Sequence, residues 1–250
     1  MSASGVLTVA VLLVAGVVAG IIGTAGGITS LVAYPALLAV GLPPLAANVT
    51  NSVALLGSGA SSALRARSQL RDRPSPVGRW LALTVGASLC GAVLLVVTPA
   101  HLFDRVVPFL VLVGGVLVLL GPLLDRRRPE AARAGAAAPS IAAVGLYNGY
   151  FGAGAGVLMI AVLLLTGESD LPRANAAKNV LLVCADLLPA VVFAVSGHVV
   201  WSAALALGAG AVAGGLIGPT VAQRLPHAVL RIAIAVCSVA LAAYLFVSGA

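Results

Sequence analysis

The chain is expected to be an all-α polytopic membrane protein built from two inverted repeats. Each repeat would be a glycine-broken re-entrant hairpin plus about three full transmembrane helices. Three observations carry this expectation. Of 250 residues, 61% are hydrophobic and 8% are charged, against roughly 25% charged in an average soluble domain. One glycine pattern occurs twice, with Gly20, Gly23 and Gly27 recurring as Gly149, Gly152 and Gly156 at a constant offset of 129. Finally, the basic loops change sides between the two halves.

A full span needs about 20 apolar residues. Residues 5–41 are too long for one crossing and break at Gly23–Gly27, which makes them the first hairpin, with a longer first arm. Spans at 45–64, 80–98 and 104–124 complete a first repeat over 1–124, and a basic cytoplasmic linker covers 125–139. The second repeat, 140–250, opens with a hairpin at 140–166. Its glycines divide that stretch into pieces of about a dozen residues, each reaching ~18 Å or half a bilayer at 1.5 Å per residue. Spans at 175–196, 200–222 and 229–247 follow.

Arginine placement orients these elements. Arg65, Arg67, Arg71, Arg73 and Arg79 crowd one loop, and Arg126, Arg127, Arg128 and Arg133 crowd the linker. Both loops are therefore expected in the cytoplasm. In the second half the loop at 196–200 is almost uncharged, whereas the following connection carries Arg224 and Arg231. A basic connection that moves in this way is the mark of inverted repeats and requires an odd number of crossings per half. Three spans plus one hairpin satisfy it, as would five spans. Both versions place the two termini outside.

The net charge of +7 thus reads as topology, and nucleic acid is not an expected partner. No basic residue precedes Arg65, so residues 1–22 are expected to be a retained membrane segment rather than a cleaved signal. Cys90, Cys184 and Cys237 lie far apart in apolar runs, and no metal or cofactor is implied. Trp80 and Trp201 open equivalent helices and are expected to act as interfacial anchors.

Broken helices at matching positions of two membrane repeats point to a transport site near the bilayer midplane. The glycines let the backbone turn there and let a ligand approach main-chain N–H groups of the returning half-helix. Such a helix start carries unpaired donors and partial positive charge, which suits an anion. The expected walls are Gly26, Gly27, Ile28 and Thr29 from one half and Ala155, Gly156 and Val157 from the other. Polar helix starts follow both hairpins. With an offset of 128, Pro44 matches Pro172, Thr50 matches Lys178 and Asn51 matches Asn179. Asn51 and Asn179 are expected substrate contacts. Lys178, the single lysine of the chain, is either a third contact or a side chain reaching the interface. Asp186 is the one carboxylate deep inside an expected span. Lying eight residues after Lys178, it is ~12 Å further along the helix and about 80° around it, too far for a direct pair. Its role is either proton coupling or a hydrogen bond to a neighbouring helix.

These features together resemble the sulfite exporter TauE/SafE family of membrane transporters. The resemblance rests on the duplicated breaks (Gly20 to Gly27, Gly149 to Gly156), the Pro44–Asn51 stretch, the Arg173–Asn179 stretch and the Pro226–Arg231 segment, and it covers nearly the whole chain. At the breaks Thr24, Ala25, Ala153 and Ala155 interrupt the glycine run usual in the family. The resemblance implies movement of sulfite, sulfonates or related small sulfur-containing anions across the bacterial inner membrane. The expected function is a secondary transporter for such an oxyanion. It would work by alternating access, one repeat rocking against the other, with proton coupling as a further expectation. Its partners would be the anion and the lipid bilayer, and a homo-oligomer is compatible with the sequence. A passive anion channel is the alternative. An intramembrane enzyme is disfavoured, because the spans lack paired carboxylates, H-E-x-x-H or a Ser/His/Asp set and the three histidines fall near span ends.

Overall fold

Each glycine pattern ends one helix and begins another. In a computed structural model of the chain, α1 spans Ala3–Gly26, α2 Ser30–Ala39, α3 Pro44–Ala66, α4 Val77–Val97 and α5 Ala100–Arg126. The order of long and short helices then recurs, with α6 at Ala134–Tyr150, α7 at Ala155–Leu165, α8 at Leu171–Val195 and α9 at Trp201–Ala222. The structure describes residues 3–26, 29–66, 70, 77–126, 134–166, 168, 170–222, 236, 239–243 and 245–246. Gly27, Ile28, Cys237, the Pro226–Arg231 segment and most of the arginines assigned to loops lie outside the described residues, as does most of the span expected at 229–247.

All described regular structure is helical. Three helices are long and apolar enough to cross a membrane by length and composition: residues 5–23 of α1, α4 and α8. At 1.5 Å per residue α1 extends ~36 Å and is long enough to cross the hydrocarbon layer alone. Its partner α2, with 10 residues, extends only ~15 Å. Proline opens α3 as Pro44 and sits in the first turn of α8 as Pro172, where its missing N–H leaves no carbonyl unpaired.

Lipid tails are as apolar as leucine, so burial of greasy surface does not drive these helices together; close packing does. The closest packing joins the two halves crosswise. α1 lies on α9, and a Cβ added at Gly20 would come within 2.7 Å of the Gly215 nitrogen. Likewise Gly16 faces the Leu207 carbonyl, and Gly210 and Gly214 face the carbonyls of Leu13 and Val17. α4 lies on α6 in the same manner, with Gly149 against the Ser88 carbonyl and Gly91 against that of Leu146. Gly20 and Gly149, which the sequence pattern assigns to the breaks, thus serve helix crossings one or two turns before them. Gly86 of α4, by contrast, meets nothing within 4 Å.

Two apolar clusters flank the middle of the bundle. One gathers Tyr34, Phe103, Phe151 and Leu207 with smaller residues of α1, α3 and α9. The other places Trp80 against Ile141, Met159, Leu163 and Leu181. Trp80 is 7% exposed, so it is a packing residue rather than the outward-facing anchor expected of it. Trp201, at the start of α9, is half exposed. Leu7, Val14, Val97, Val195 and Leu205 point outward, as lipid-facing side chains do.

Valine at Gly149 or Gly214 should lower the melting temperature in detergent, at a cost of roughly 1–3 kcal/mol or more from overpacking. Gly86→Val should melt with the wild type. Equal melting of all three variants would show that the crossings do not hold the halves together.

Candidate substrate-binding site

The two breaks are closed by different chemistry. In the second, α6 ends at Tyr150 and the chain turns through Phe151–Gly154 before α7 begins. Gly152 (φ 78°) and Gly154 (φ 81°) are both left-handed, a conformation that costs a side-chain-bearing residue about 1–2 kcal/mol. The exposed backbone is satisfied locally. Phe151 and Gly152 N–H donate to the Tyr147 carbonyl, the Tyr147 hydroxyl donates to the Ala153 carbonyl at 2.6 Å, and the Asn48 amide donates to the Tyr150 carbonyl at 3.0 Å. In the first break the Thr29 side chain fills the space where Gly23 would carry a Cβ. The Thr29 carbonyl accepts from the N–H groups of Val32 and Ala33.

Between the breaks lies a cavity of about 120 Å³, room for several waters at ~30 Å³ each or for one small anion. Helix α8 forms one wall through Lys178, Asn179, Leu182, Val183 and Asp186, spacings that share one helical face. Opposite stand Ser52, Leu55, Ser58, Gly59 and Ser62 of α3. Where these helices touch, a Cβ at Gly59 would lie 2.8 Å from Val183. Gly20 and Gly23 of α1, Thr29 and Ser30 at the first break, and Asn148, Phe151, Gly152 and Gly156 at the second complete the lining.

Lys178 is 2% exposed. Among the described residues it has no ion pair and no hydrogen-bond acceptor; the ion pair found there is Arg173 Nε to Glu168 Oε2, at 3.5 Å. A charge held in a low-dielectric interior without a partner is costly, and here it borders the cavity. Asp186, on the same wall, does bond a neighbouring helix: its Oδ1 accepts from Asn148 Nδ2 at 2.6 Å, and that amide lies 3.4 Å from Ser88 Oγ. On the α3 wall the hydroxyls of Ser52, Ser58 and Ser62 donate to the carbonyls of Asn48, Leu55 and Ser58. Their protons are committed to their own helix, and their lone pairs remain. At the start of α7 the N–H groups of Ala155 and Val157 donate to the carbonyls of Gly152 and Gly154, while that of Gly156 has no backbone acceptor.

Of the expected site residues, the structure brings Thr29, Gly156, Lys178, Asn179 and Asp186 to one cavity. Gly26 closes α1. Ala155 and Val157 flank Gly156 but turn away. Asn51 is 2% exposed and lies off the cavity, its side-chain oxygen unpartnered in the interior. A single residue step, about 100° around the helix, explains this, because Ser52 rather than Asn51 falls on the face of α3 that meets the cavity. Asn148, Phe151 and the three serines were not anticipated. Ser58 and Ser62 stand one turn apart on α3, in line with Ser52 and Leu55, and Asn148 is a lone amide four residues before Gly152; both were visible in the sequence as polar groups within expected membrane segments.

The model of the family described as "Sulfite exporter TauE/SafE" matches residues 8–245, and the chain belongs to that family. It is 31% identical to a "Probable membrane transporter protein" of Haemophilus influenzae over 86% of this chain and 85% of that one. It is 27% identical to the "Probable membrane transporter protein YfcA" of Escherichia coli K12, over 96% and 90% of the two chains. A "Probable membrane transporter protein ORF9" of Sinorhizobium is likewise 27% identical, over 93% and 90%. No solved structure matches the chain.

Replacing Asn148 by Leu removes the donor to the Asp186 carboxylate. The expected cost is roughly 1–3 kcal/mol, the desolvation penalty of a buried acceptor left unpaired, read as a lower melting temperature. An unchanged melting temperature would show that the Asn148–Asp186 bond does not hold α6 to α8.

Proposed function

We propose that this member of the sulfite exporter TauE/SafE family is a secondary transporter for a small sulfur-containing oxyanion, of the sulfite or organosulfonate class, across the bacterial inner membrane. The observation that carries the reading is Lys178, a buried ammonium without a counterion among the described residues, on the wall of a cavity between two broken helices. An oxyanion supplies the missing charge. Asn179 and the free N–H of Gly156 stand beside Lys178 in the lining, and a helix start favours negative charge. Asn51, Ala155 and Val157 would then shape the site from behind its lining, and Gly26, Gly27 and Ile28 are read as part of the same site.

The two halves are read as inverted repeats with both termini outside. Support comes from the moving arginine loops and from the packing itself: exchanging the halves turns the α1–α9 crossing into α6–α4, and α3–α9 into α8–α4. The glycine crossings that fasten α1 to α9 and α4 to α6 support a reading in which the rocking bodies are mixed in sequence. One body is α1, α3 and α9, the other α4, α6 and α8, and the cavity lies where α3 meets α8. Opening it alternately to either side is the transport cycle. Asp186 is read as the proton-coupling group, on the strength of its place in that cavity.

Proteoliposome uptake tests the reading. Saturable sulfite or sulfonate uptake with counterflow is expected; flux that neither saturates nor shows counterflow would establish a passive channel instead. Lys178→Ala should weaken anion binding at least tenfold, about 1.4 kcal/mol, and wild-type affinity in that variant would remove Lys178 from the site. Asp186→Asn should abolish the dependence of uptake on a pH gradient, and an unchanged dependence would end the coupling role. A disulfide engineered between α1 and α9 should leave transport intact, whereas one between α3 and α8 should arrest it; the opposite result would reassign the moving bodies.

A further inference from the structure

The cavity is bipolar. Lys178 and Asp186 both line it from α8, ~12 Å apart along the helix. They do not pair with each other; the ion pair among the described residues is elsewhere. Lys178 offers donors with nothing to accept them. Asp186 uses one oxygen to accept from Asn148, and no hydrogen bond from a described residue reaches the other. The wall facing it extends this acceptor character, because Ser52, Ser58 and Ser62 spend their protons on their own helix carbonyls. A bare inorganic anion satisfies the lysine and meets repulsion at the carboxylate and the serine lone pairs.

Resting on the transporter reading above, we propose that the occupant is a short organic anion with a hydrogen-bond donor, amino or hydroxyl, at the end opposite its charged head. The head sits against Lys178, and the donor end is received by the free oxygen of Asp186 and by the serine oxygens of α3. Both charges of the cavity are then matched, so neither is left buried and uncompensated. Specificity against inorganic anions follows from the group the small anion fails to satisfy, since a site built to accept a donor loses affinity for a ligand lacking one.

Binding to the purified full-length protein, measured by thermal shift and calorimetry, tests this with four probes: 2-aminoethanesulfonate, 2-hydroxyethanesulfonate, ethanesulfonate and sulfite. The amino and hydroxyl compounds are expected to bind about tenfold or more tightly than ethanesulfonate. Asp186→Asn keeps the size and the Asn148 contact, and its melting temperature without ligand checks its fold. In that variant the preference for the amino and hydroxyl compounds over ethanesulfonate should shrink to within about threefold. Equal affinity of wild type for all three sulfonates overturns this proposal and leaves the transporter reading standing. A preference that survives in Asp186→Asn also overturns it. So does selective loss of sulfite binding in that variant, which would make Asp186 a protonated donor to the anion. Binding of none of the four probes overturns both readings together.

Discussion

Backbone that leaves a helix inside a bilayer must find every hydrogen bond within the protein, and the rest of this structure is arranged around that requirement. The break at Phe151–Gly154 meets it with groups from two helices, α6 and α3. Tyr147 reaches forward to the Ala153 carbonyl, Asn48 reaches across from α3 to the Tyr150 carbonyl, and two left-handed glycines let the chain turn within four residues. The aromatic rings of Tyr34, Phe103 and Phe151 close the outside of the turn, with Tyr34 and Phe151 edge to face at 5.4 Å. The Gly156 N–H, which has no backbone acceptor among the described residues, belongs to a residue that borders the cavity. A similar tie closes the far end of α8, where the Val200 N–H donates to Thr50 Oγ1 at 3.0 Å.

Close approach of bare backbone is the second structural device. In water, two helices could be joined by burying leucine; in lipid that gain is absent, and contact of main chains over glycine replaces it. The crossings of α1 with α9 and of α4 with α6 use this contact repeatedly, and they bind each half of the sequence to the other. The stiffest units of the molecule are therefore mixed in sequence. The space between them is left to α3 and α8, whose contact at Gly59 and Val183 borders the cavity.

Those two helices match in position but not in chemistry. Thr50 is fully buried and bonded to the α9 entry, while its counterpart Lys178 is buried and unpaired. Ser58 bonds its own helix, whereas the residue 128 positions later is Asp186, held by Asn148 of α6. Both ionisable groups thus come from one wall, and the hydroxyls come from the other. The two helices share a backbone plan, and the charge at the cavity lies on one of them.

Composition and pattern were enough to determine a helical membrane protein, the positions of both breaks and the presence of two ionisable groups, Lys178 and Asp186, inside one apolar helix. Each of these is a local matter: apolar runs long enough to span, glycines where helices must stop, and ions where ions are costly. Gly20 and Gly149 read the same as the glycines of the breaks in sequence, yet they are packing surfaces, because only the neighbouring helix shows which backbone approaches them. Asn51 and Ser52 are adjacent, and a rotation of about 100° per residue decides which of them faces the cavity. That rotation is set by how α3 lies on α8 and α9. The role of Trp80, the bond between Asn148 and Asp186 and the crosswise joining of the halves likewise belong to tertiary structure alone, since each depends on contacts between residues far apart in the chain.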